Sequence, residues 1–493
     1  MQIKKKYLIN LDGWIQPIYT KPLQNVINEF KIDVIRENLA FLCASVEDKS
    51  KIEKDFPKFK IFCVEEYYLR NYKSITLEDS QSIIDKLGIS FGEINYALSS
   101  YKKFYFQAIR SSKYQFNLDL KRIILNNSFY EEIFKNFKPN IIIHEHSGGI
   151  GSKILWEKCK KNKCKYFFLK GMYFNDKFAL IDNNQFKSPF YENSSDTIDD
   201  EKDYELFSSK IKQSLDHMAP YEKYKKIKKK KNFLYSKIKN IFNNYIKYHK
   251  NTDEMNYLLS RNPPIIDGVF YKFFSYFKNF IFKNFYVDKE INFNNKYAVL
   301  FLQVEPEINS YAMVSSNFNS YSLIKSFALN LPSNTILYVK EHPAQIKQSR
   351  SKDLAFFKNI KSFSNVRIVP TNLDSSKLIK NAEFVISGSG TSLFEGILQN
   401  KKCIYYGDHF YTNHENLFKL KDYNSINDIL KTIKENKVIN DYNYNIDENI
   451  KFAYRVYKSM LHGKYFYENY EFNENTKNWT NSFQLLFQYF EKL

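Results

Sequence analysis

Five short apolar runs, at residues 297–302, 335–340, 366–369, 383–387 and 403–406, alternate with helix-like segments at 321–329, 349–361, 375–381 and 392–399. Strands that return in the same direction need long crossovers, and helices usually supply them. The alternation therefore restricts this stretch to a parallel sheet with covering helices, a Rossmann-like lobe. The N-terminal region repeats the pattern less cleanly, with strands expected at 7–10, 60–64, 140–143 and 165–169. A chain of 493 residues is too long for one ordinary domain. The expected class is α/β, divided into four regions. These are an N-terminal Rossmann-like lobe over 1–220, a basic and aromatic helical linker over 221–293, a C-terminal Rossmann-like lobe over 294–420, and helices over 421–493.

A formal net charge of +20 favours anionic partners: nucleic acid, phosphorylated small molecules or lipid headgroups. The charge is concentrated, since seven of the nine residues over 223–231 are lysine, and 270–286 reads FYKFFSYFKNFIFKNFY. Three readings of this region stand side by side. It is a solvated helical linker, an interfacial helix lying on anionic lipid through 223–286, or a stacking surface for single-stranded RNA. No RNP-type, KH or zinc-knuckle pattern accompanies it, so a nucleic-acid partner is not expected. With 45 Phe and 39 Tyr against 13 Gly, aromatics crowd every segment, and a single ring carries little functional weight.

The five cysteines, Cys43, Cys63, Cys159, Cys164 and Cys403, form no Cys-x-x-Cys pair and no metal-ligand spacing. A sparse, odd set suits a reducing compartment. The basic start of the chain lacks a signal-peptide core, and no 18-residue stretch is free of charge. The expectation is a cytoplasmic protein; whether it also sits peripherally on the inner face of the cell membrane depends on which reading of 223–286 holds.

Two segments carry the chemistry. The first, Tyr338-Val-Lys-Glu-His-Pro-Ala-Gln345, is a strand running into a proline-stopped corner. Pro343 cannot continue the ladder, and it biases His342 to an extended conformation. Lys340, His342, Lys347 and Arg350 fall within eleven residues. His342 is either a structural turn residue or an anion ligand at a strand end.

The second segment is Val385-Ile-Ser-Gly-Ser-Gly-Thr-Ser-Leu-Phe-Glu395, a strand, a Gly/Ser loop and a helix start. Backbone N–H groups at such a helix entrance, with the hydroxyls of Ser387, Ser389, Thr391 and Ser392 nearby, make an anion site. The same letters also read as a capping box, Ser392-x-x-Glu395, in which Glu395 only satisfies the helix start. A third stretch, three isoleucines followed by His144-Glu145-His146-Ser147-Gly148-Gly149, reads as a buried strand opening into a polar loop where ligands bind. Gly148-Gly149-x-Gly151 lacks the spacing of a dinucleotide fingerprint.

Taken as an ordered set, these residues resemble the bacterial capsule polysaccharide biosynthesis family, which includes the Kdo transferases of capsule assembly. The matching features are Lys340-Glu-His342-Pro343, the Ser387–Glu395 loop, and Cys403-Ile-Tyr-Tyr-Gly407-Asp-His-Phe410-Tyr411. Leu302-Gln-Val-Glu305-Pro306-Glu307 is similar to the family's Gln-Pro-Glu segment, with Glu305 in place of Gln. The likeness spans 297–411.

The resemblance implies a GT-B fold: two Rossmann-like lobes facing across a cleft, with the C-terminal helices packing back toward the N-terminal lobe. It implies a nucleotide-sugar donor, CMP-linked and Kdo-like, taken as substrate with no bound cofactor. It also implies a capsule, surface-polysaccharide or glycolipid acceptor. His342 would contact the donor phosphate, alongside Lys340 and Pro343. Ser389, Thr391 and Ser392 would hold phosphate oxygens within the Ser387-Gly388-Ser389-Gly390 loop, and Glu395 would face the ribose or the sugar.

A departing nucleotide leaves negative charge that needs aimed donors or a metal. No Asp-x-Asp occurs in the chain, so metal-independent turnover is expected. The acceptor hydroxyl needs a base or a substrate-assisted route. The candidates are His144, Glu145 and His146, then Glu307, with Asp176 and Asp182 left open. Two other functions fit the same residues: polyol-phosphate transfer from a CDP-polyol, as in teichoic-acid assembly, and a non-catalytic glycan-assembly protein on the same scaffold.

Overall fold

The computed structural model describes residues 4–13, 15–29, 36–77, 80–89, 112–144, 149–171, 173–174, 176–194, 198, 200–214, 246, 250, 252–259, 277–303, 319–343, 354–388, 390–435, 442–464 and 472–493. Strands β1 (Tyr7–Asn10), β2 (Leu39–Cys43), β3 (Lys60–Cys63), β4 (Ile141–His144), β5 (Lys165–Gly171) and β6 (Lys177–Asp182) form a first sheet. Strands β7 (Tyr297–Phe301), β8 (Ile336–Lys340), β9 (Val366–Val369), β10 (Phe384–Ser387), β11 (Lys402–Tyr405) and β12 (Leu417–Lys419) form a second. A two-residue β13 (Leu461–His462) returns to the free edge of β6.

The second sheet is parallel throughout, in the order β12-β11-β10-β7-β8-β9. This is the doubly wound order of a dinucleotide-binding lobe, and its switch point lies between β7 and β10. The first sheet runs β13-β6-β5-β4-β1-β2-β3, parallel from β5 to β3, with its switch point between β1 and β4. Strand β6 turns back antiparallel to β5. The chain therefore has two Rossmann-like lobes, the GT-B arrangement.

The strands are apolar on both faces because both faces are covered. Along β7 and just past its end, Tyr297, Val299 and Phe301 enter one core cluster while Ala298, Leu300 and Leu302 enter the other. That alternation is the period of two of a pleated strand. Val299, Leu300, Phe301 and Leu302 each contribute roughly 1.5–3 kcal/mol from removing apolar surface from water.

One cluster crosses between the lobes. Phe168 of β5 and Ala179 and Ile181 of β6 share it with Val385 of β10 and with Leu393 and Phe394 of the Thr391–Leu398 helix. Tyr173 and Phe174, between β5 and β6, bring their rings to 5.0 and 5.7 Å from Phe394. The helix Tyr442–Lys458 spans the same junction, with Phe452 6.1 Å from Phe394 and the Tyr454 hydroxyl donating to Asp203 at 2.9 Å. The helix Phe472–Lys492 then lies on the first lobe, where Trp479 stacks on Phe178 at 4.1 Å and the Tyr7 hydroxyl donates to Glu491. The C-terminal helices thus pack back onto the N-terminal lobe.

The stretch expected as one linker is divided where it is described. Asp253–Leu258 packs on the first lobe through Met255 and the Lys121–Glu254 ion pair at 2.5 Å. Residues 277–286 pack on the second lobe through Phe282, whose ring is 4.4 Å from that of Phe357. Most of 221–276, including the lysine run, lies outside the described residues. Strands β2, β6, β12 and β13 have no counterpart among the sequence expectations.

Candidate functional site

The two chemical segments meet one edge of one sheet. Ser387, the last residue of β10, is level with Phe301 of β7, and Phe301 is level with Lys340, the last residue of β8. Neighbouring strands lie about 4.8 Å apart, so a single strand separates the Gly/Ser loop from the His-Pro corner. Both open at the carboxyl edge, where ligands of such sheets bind. His342 and Pro343 follow Lys340 and are half-buried.

The loop after β10 is held from beneath. Ser387 is wholly buried, and its Oγ accepts from Ser392 Oγ at 3.0 Å and from Gln303 Nε2 at 3.4 Å. Gly388 has no room for a side chain, since a Cβ there would lie 2.8 Å from Tyr406 Cε2 and 3.0 Å from Gln303 Cγ. Gly396, inside the helix that follows, is equally confined: a Cβ there would lie 2.6 Å from Cys403 Sγ. These close approaches draw the helix start tight against the sheet.

The capping-box reading of this loop fails. Gly390 is the N-cap and no side chain caps the helix; Ser392 is the second helical residue and Glu395 the fifth. Ser392 turns its hydroxyl back to Ser387 instead. The Leu393 N–H donates to the Gly390 carbonyl at 3.5 Å, and among the described residues no side chain caps the Thr391 and Ser392 N–H groups, which lie at the positive end of the helix where anions bind. Thr391 is exposed there and Ser392 buried, while Ser389 lies outside the described residues.

Lys340 needs a correction. The sequence puts it among the phosphate ligands, but the structure turns its ammonium inward. It is 4% exposed and donates to the Thr371 carbonyl at 3.0 Å. Burial lowers it to about 8, against the pull of Glu395, Asp374 and Glu341. Glu395 is 3% exposed, and its Oε2 has no hydrogen-bond partner among the described residues. Burial raises its carboxyl to about 7, with a hydrogen bond from Thr391 and the Lys340 charge opposing the rise. Tyr173 of the first lobe is raised by burial and then by this same carboxylate, so Glu395 sits where the lobes meet.

His409 is a site residue to which the sequence alone assigns no role. Its Nε2 lies 3.0 Å from the Gly388 carbonyl oxygen, joining the turn after β11 to the turn after β10. The available signal was its position in a turn one strand away from the Gly/Ser loop.

On the first lobe, His144 ends β4 and its Nδ1 lies 3.2 Å from the Tyr166 hydroxyl. Glu145, His146 and Glu307 lie outside the described residues. The carboxylate of Asp182 accepts the Asn184 N–H at 2.7 Å, a turn contact. Sequence reasoning also passes over the end of β1, at that lobe's switch point. There Asp12 accepts from Asn10 Nδ2 at 3.0 Å and from the Ala44 N–H at 2.7 Å. Among the described residues no group of three His, Cys, Asp or Glu is arranged to hold a metal ion.

Residues 208–415 match the family described as capsule polysaccharide biosynthesis protein. Over this segment the chain is similar to that family. The segment contains the His-Pro corner, the Gly/Ser loop and His409, and stops just short of β12. Similar solved structures include Thermosulfurimonas dismutans KpsC, beta Kdo 2,4 transferase, at 12% identity over 60% of this chain and 81% of that one, with a TM-score of 0.34. Anabaena Alr3699/HepE in complex with UDP and glucose is 10% identical over 92% of this chain and 95% of that one, with a TM-score of 0.28. The S. aureus MnaA–UDP structure is 10% identical over 91% of each chain, with a TM-score of 0.24. No curated protein matches the chain in sequence.

Proposed function

We propose that this chain is a glycosyltransferase of the capsule polysaccharide biosynthesis type. It takes a sugar from a nucleotide-activated donor and adds it to a surface polysaccharide or glycolipid. The observation that carries the reading is the uncapped, glycine-tightened helix entrance at the β7/β10 switch point, one strand away from His342. Charge develops on the leaving nucleotide phosphate, and preorganised donors in a partly dry site stabilise it best. The N–H groups of the helix start and the His342 imidazole supply those donors. Lys340 acts from below, as a buried charge facing Glu395. The unpartnered Glu395 Oε2 accepts a hydroxyl of the donor's ribose or sugar.

The donor we propose is CMP-linked and Kdo-like, which rests on the family resemblance. The acceptor's base comes from the His144–His146 loop of the first lobe, and turnover proceeds without a divalent cation. Complete loss of turnover in EDTA would refute that last statement. The protein works in the cytoplasm, where nucleotide sugars are made.

A panel of CMP, UDP and CDP, read by thermal stabilisation, tests the site. A ligand at a hundred times its dissociation constant adds about 2.7 kcal/mol. The expected result is a CMP-selective shift that His342→Ala removes. No shift with any nucleotide, or an undiminished shift in His342→Ala, overturns the assignment. Labelling the donor's phosphate distinguishes sugar transfer from polyol-phosphate transfer, since only the latter carries the label into product.

A further inference from the structure

Among the described residues three phenylalanines are largely exposed, and all three lie within nine residues. Phe277 is 55% exposed, Phe280 62% and Phe285 70%. The chain has 45 phenylalanines, and burial is the rule for the others described. The three are carried by a helical segment that runs from 277 into the wide turn Phe282–Tyr286.

The segment is fixed to the second lobe by its other side. Phe282 is 1% exposed with its ring 4.4 Å from that of Phe357, and Tyr286 is 6.0 Å from the same ring. Just past it, Asp288 pairs with Lys361 at 3.0 Å and accepts the Ile368 N–H at 2.8 Å. Helical residues advance about 100° each, so anchoring Phe282 and Tyr286 turns Phe277 and Phe280 to the opposite side, while Phe285 stands out at the flank. Lys278 and Lys283 are exposed between the aromatic rings, Lys289 and Glu290 are exposed beyond them, and Asp288 is occupied by its ion pair.

We infer that this ridge docks the protein on an anionic bilayer. The three phenylalanines enter the boundary between headgroups and acyl chains, and Lys278 and Lys283 meet the lipid phosphates. Charge complementarity selects this occupant. An apolar face interspersed with lysine is the pattern of an interfacial segment, and each lysine near an anionic surface adds attraction. A second copy of the chain would bring the same lysines together, and lysine is depleted from protein–protein interfaces. No described helix is long and apolar enough to cross a membrane, so the contact is peripheral as far as those helices go. The inference is independent of the donor assignment, because none of these residues lies at the switch point.

The test is co-sedimentation of the full chain with vesicles of phosphatidylcholine, with and without phosphatidylglycerol. It is run at about 150 mM salt, where distant charges are screened. The variants are F277S/F280S/F285S and K278E/K283E, each checked for an unchanged melting temperature and an unchanged nucleotide-induced shift. Wild type is expected to bind the anionic vesicles at least about ten-fold more strongly than either variant, and the neutral vesicles weakly. Equal binding by wild type and the triple serine variant overturns the inference. So does a wild-type dimer that the serine variant converts to monomer, since the ridge would then belong to a second copy. Vesicle binding that competes with generic RNA and ignores the phenylalanines overturns it as well.

Discussion

His409 Nε2 lies 3.0 Å from the carbonyl oxygen of Gly388, and burial, which lowers the imidazole to about 3, keeps the ring neutral so that this nitrogen donates the bond. The turn after β11 thereby clamps the turn after β10. Gly388 begins the loop that ends at the uncapped helix, so the clamp sets where the loop's N–H groups point. Through this contact His409 is expected to act by positioning the loop.

His409→Ala should therefore lose two things together. Leaving the buried Gly388 carbonyl without its donor costs about 1–3 kcal/mol, readable by urea unfolding. The nucleotide-induced thermal shift should also shrink, because the loop is no longer held. His409→Gln, whose amide can donate, should recover some of the shift. Equal nucleotide shifts in all three proteins would make His409 a packing residue only.

Gly388→Ala tests the close approach from the other side. The new Cβ meets the Tyr406 ring at 2.8 Å, and overpacking of this kind costs about 1–3 kcal/mol. In a Tyr406→Ala background the ring contact is gone and only the flexible Gln303 side chain, 3.0 Å away, has to shift, so the same substitution should cost less, about 1 kcal/mol. The coupling between the two, measured as a double-mutant cycle in urea, should exceed about 0.5 kcal/mol. Strict additivity would mean the loop moves freely and no tight turn is required.

Strands β7 to β11 of the second lobe were readable from the sequence to within a residue or so. Buried parallel strands are apolar runs bounded by polar breakers, and Val366–Val369 is such a run. Strand β2, Leu-Ala-Phe-Leu-Cys, was not, because its letters suit a helix equally well. What makes it a strand is the register with β1 and β3 on either side. Strands of three and two residues, β12 and β13, are too short to carry any pattern.

At the site, the residue types were legible and their directions were not, although one direction could have been read. Lys340 stands two residues after Tyr338, so its side chain shares the face on which Tyr338 joins the cluster containing Phe394. That face leads into the protein, not out to the crevice. The clamp from His409 needed the further knowledge that β10 and β11 are neighbours, which consecutive strand–helix–strand units suggest.

Lys340→Met separates an interior anchor from a phosphate ligand. Removing the ammonium leaves the Thr371 carbonyl without a donor and Glu395 without its nearby cation. Stability should fall by about 1–3 kcal/mol. Nucleotide affinity, measured by calorimetry, should fall far less than in His342→Ala. The opposite ranking would return Lys340 to the donor phosphate.

Glu395 gives the site a pH signature whose sign can be worked out. The folded chain keeps its carboxyl protonated up to about 7, whereas the ordinary value of 4.5 applies once the chain unfolds. Between those values the folded state binds more protons, so this group's contribution to stability is full below 4.5 and declines as pH rises through about 7. Glu395→Gln has no proton to lose. The variant's melting temperature minus that of wild type should widen from about pH 4.5 to about pH 7 and level off above, a span of at most roughly 3 kcal/mol. His409 works in the opposite direction, since its depressed value makes stability fall as pH drops from 6.5 toward about 3. That effect is common to both proteins and cancels in the difference. A difference that stays flat across the window would mean that Glu395 is already ionised in the folded chain, with Lys340 as its counter-ion.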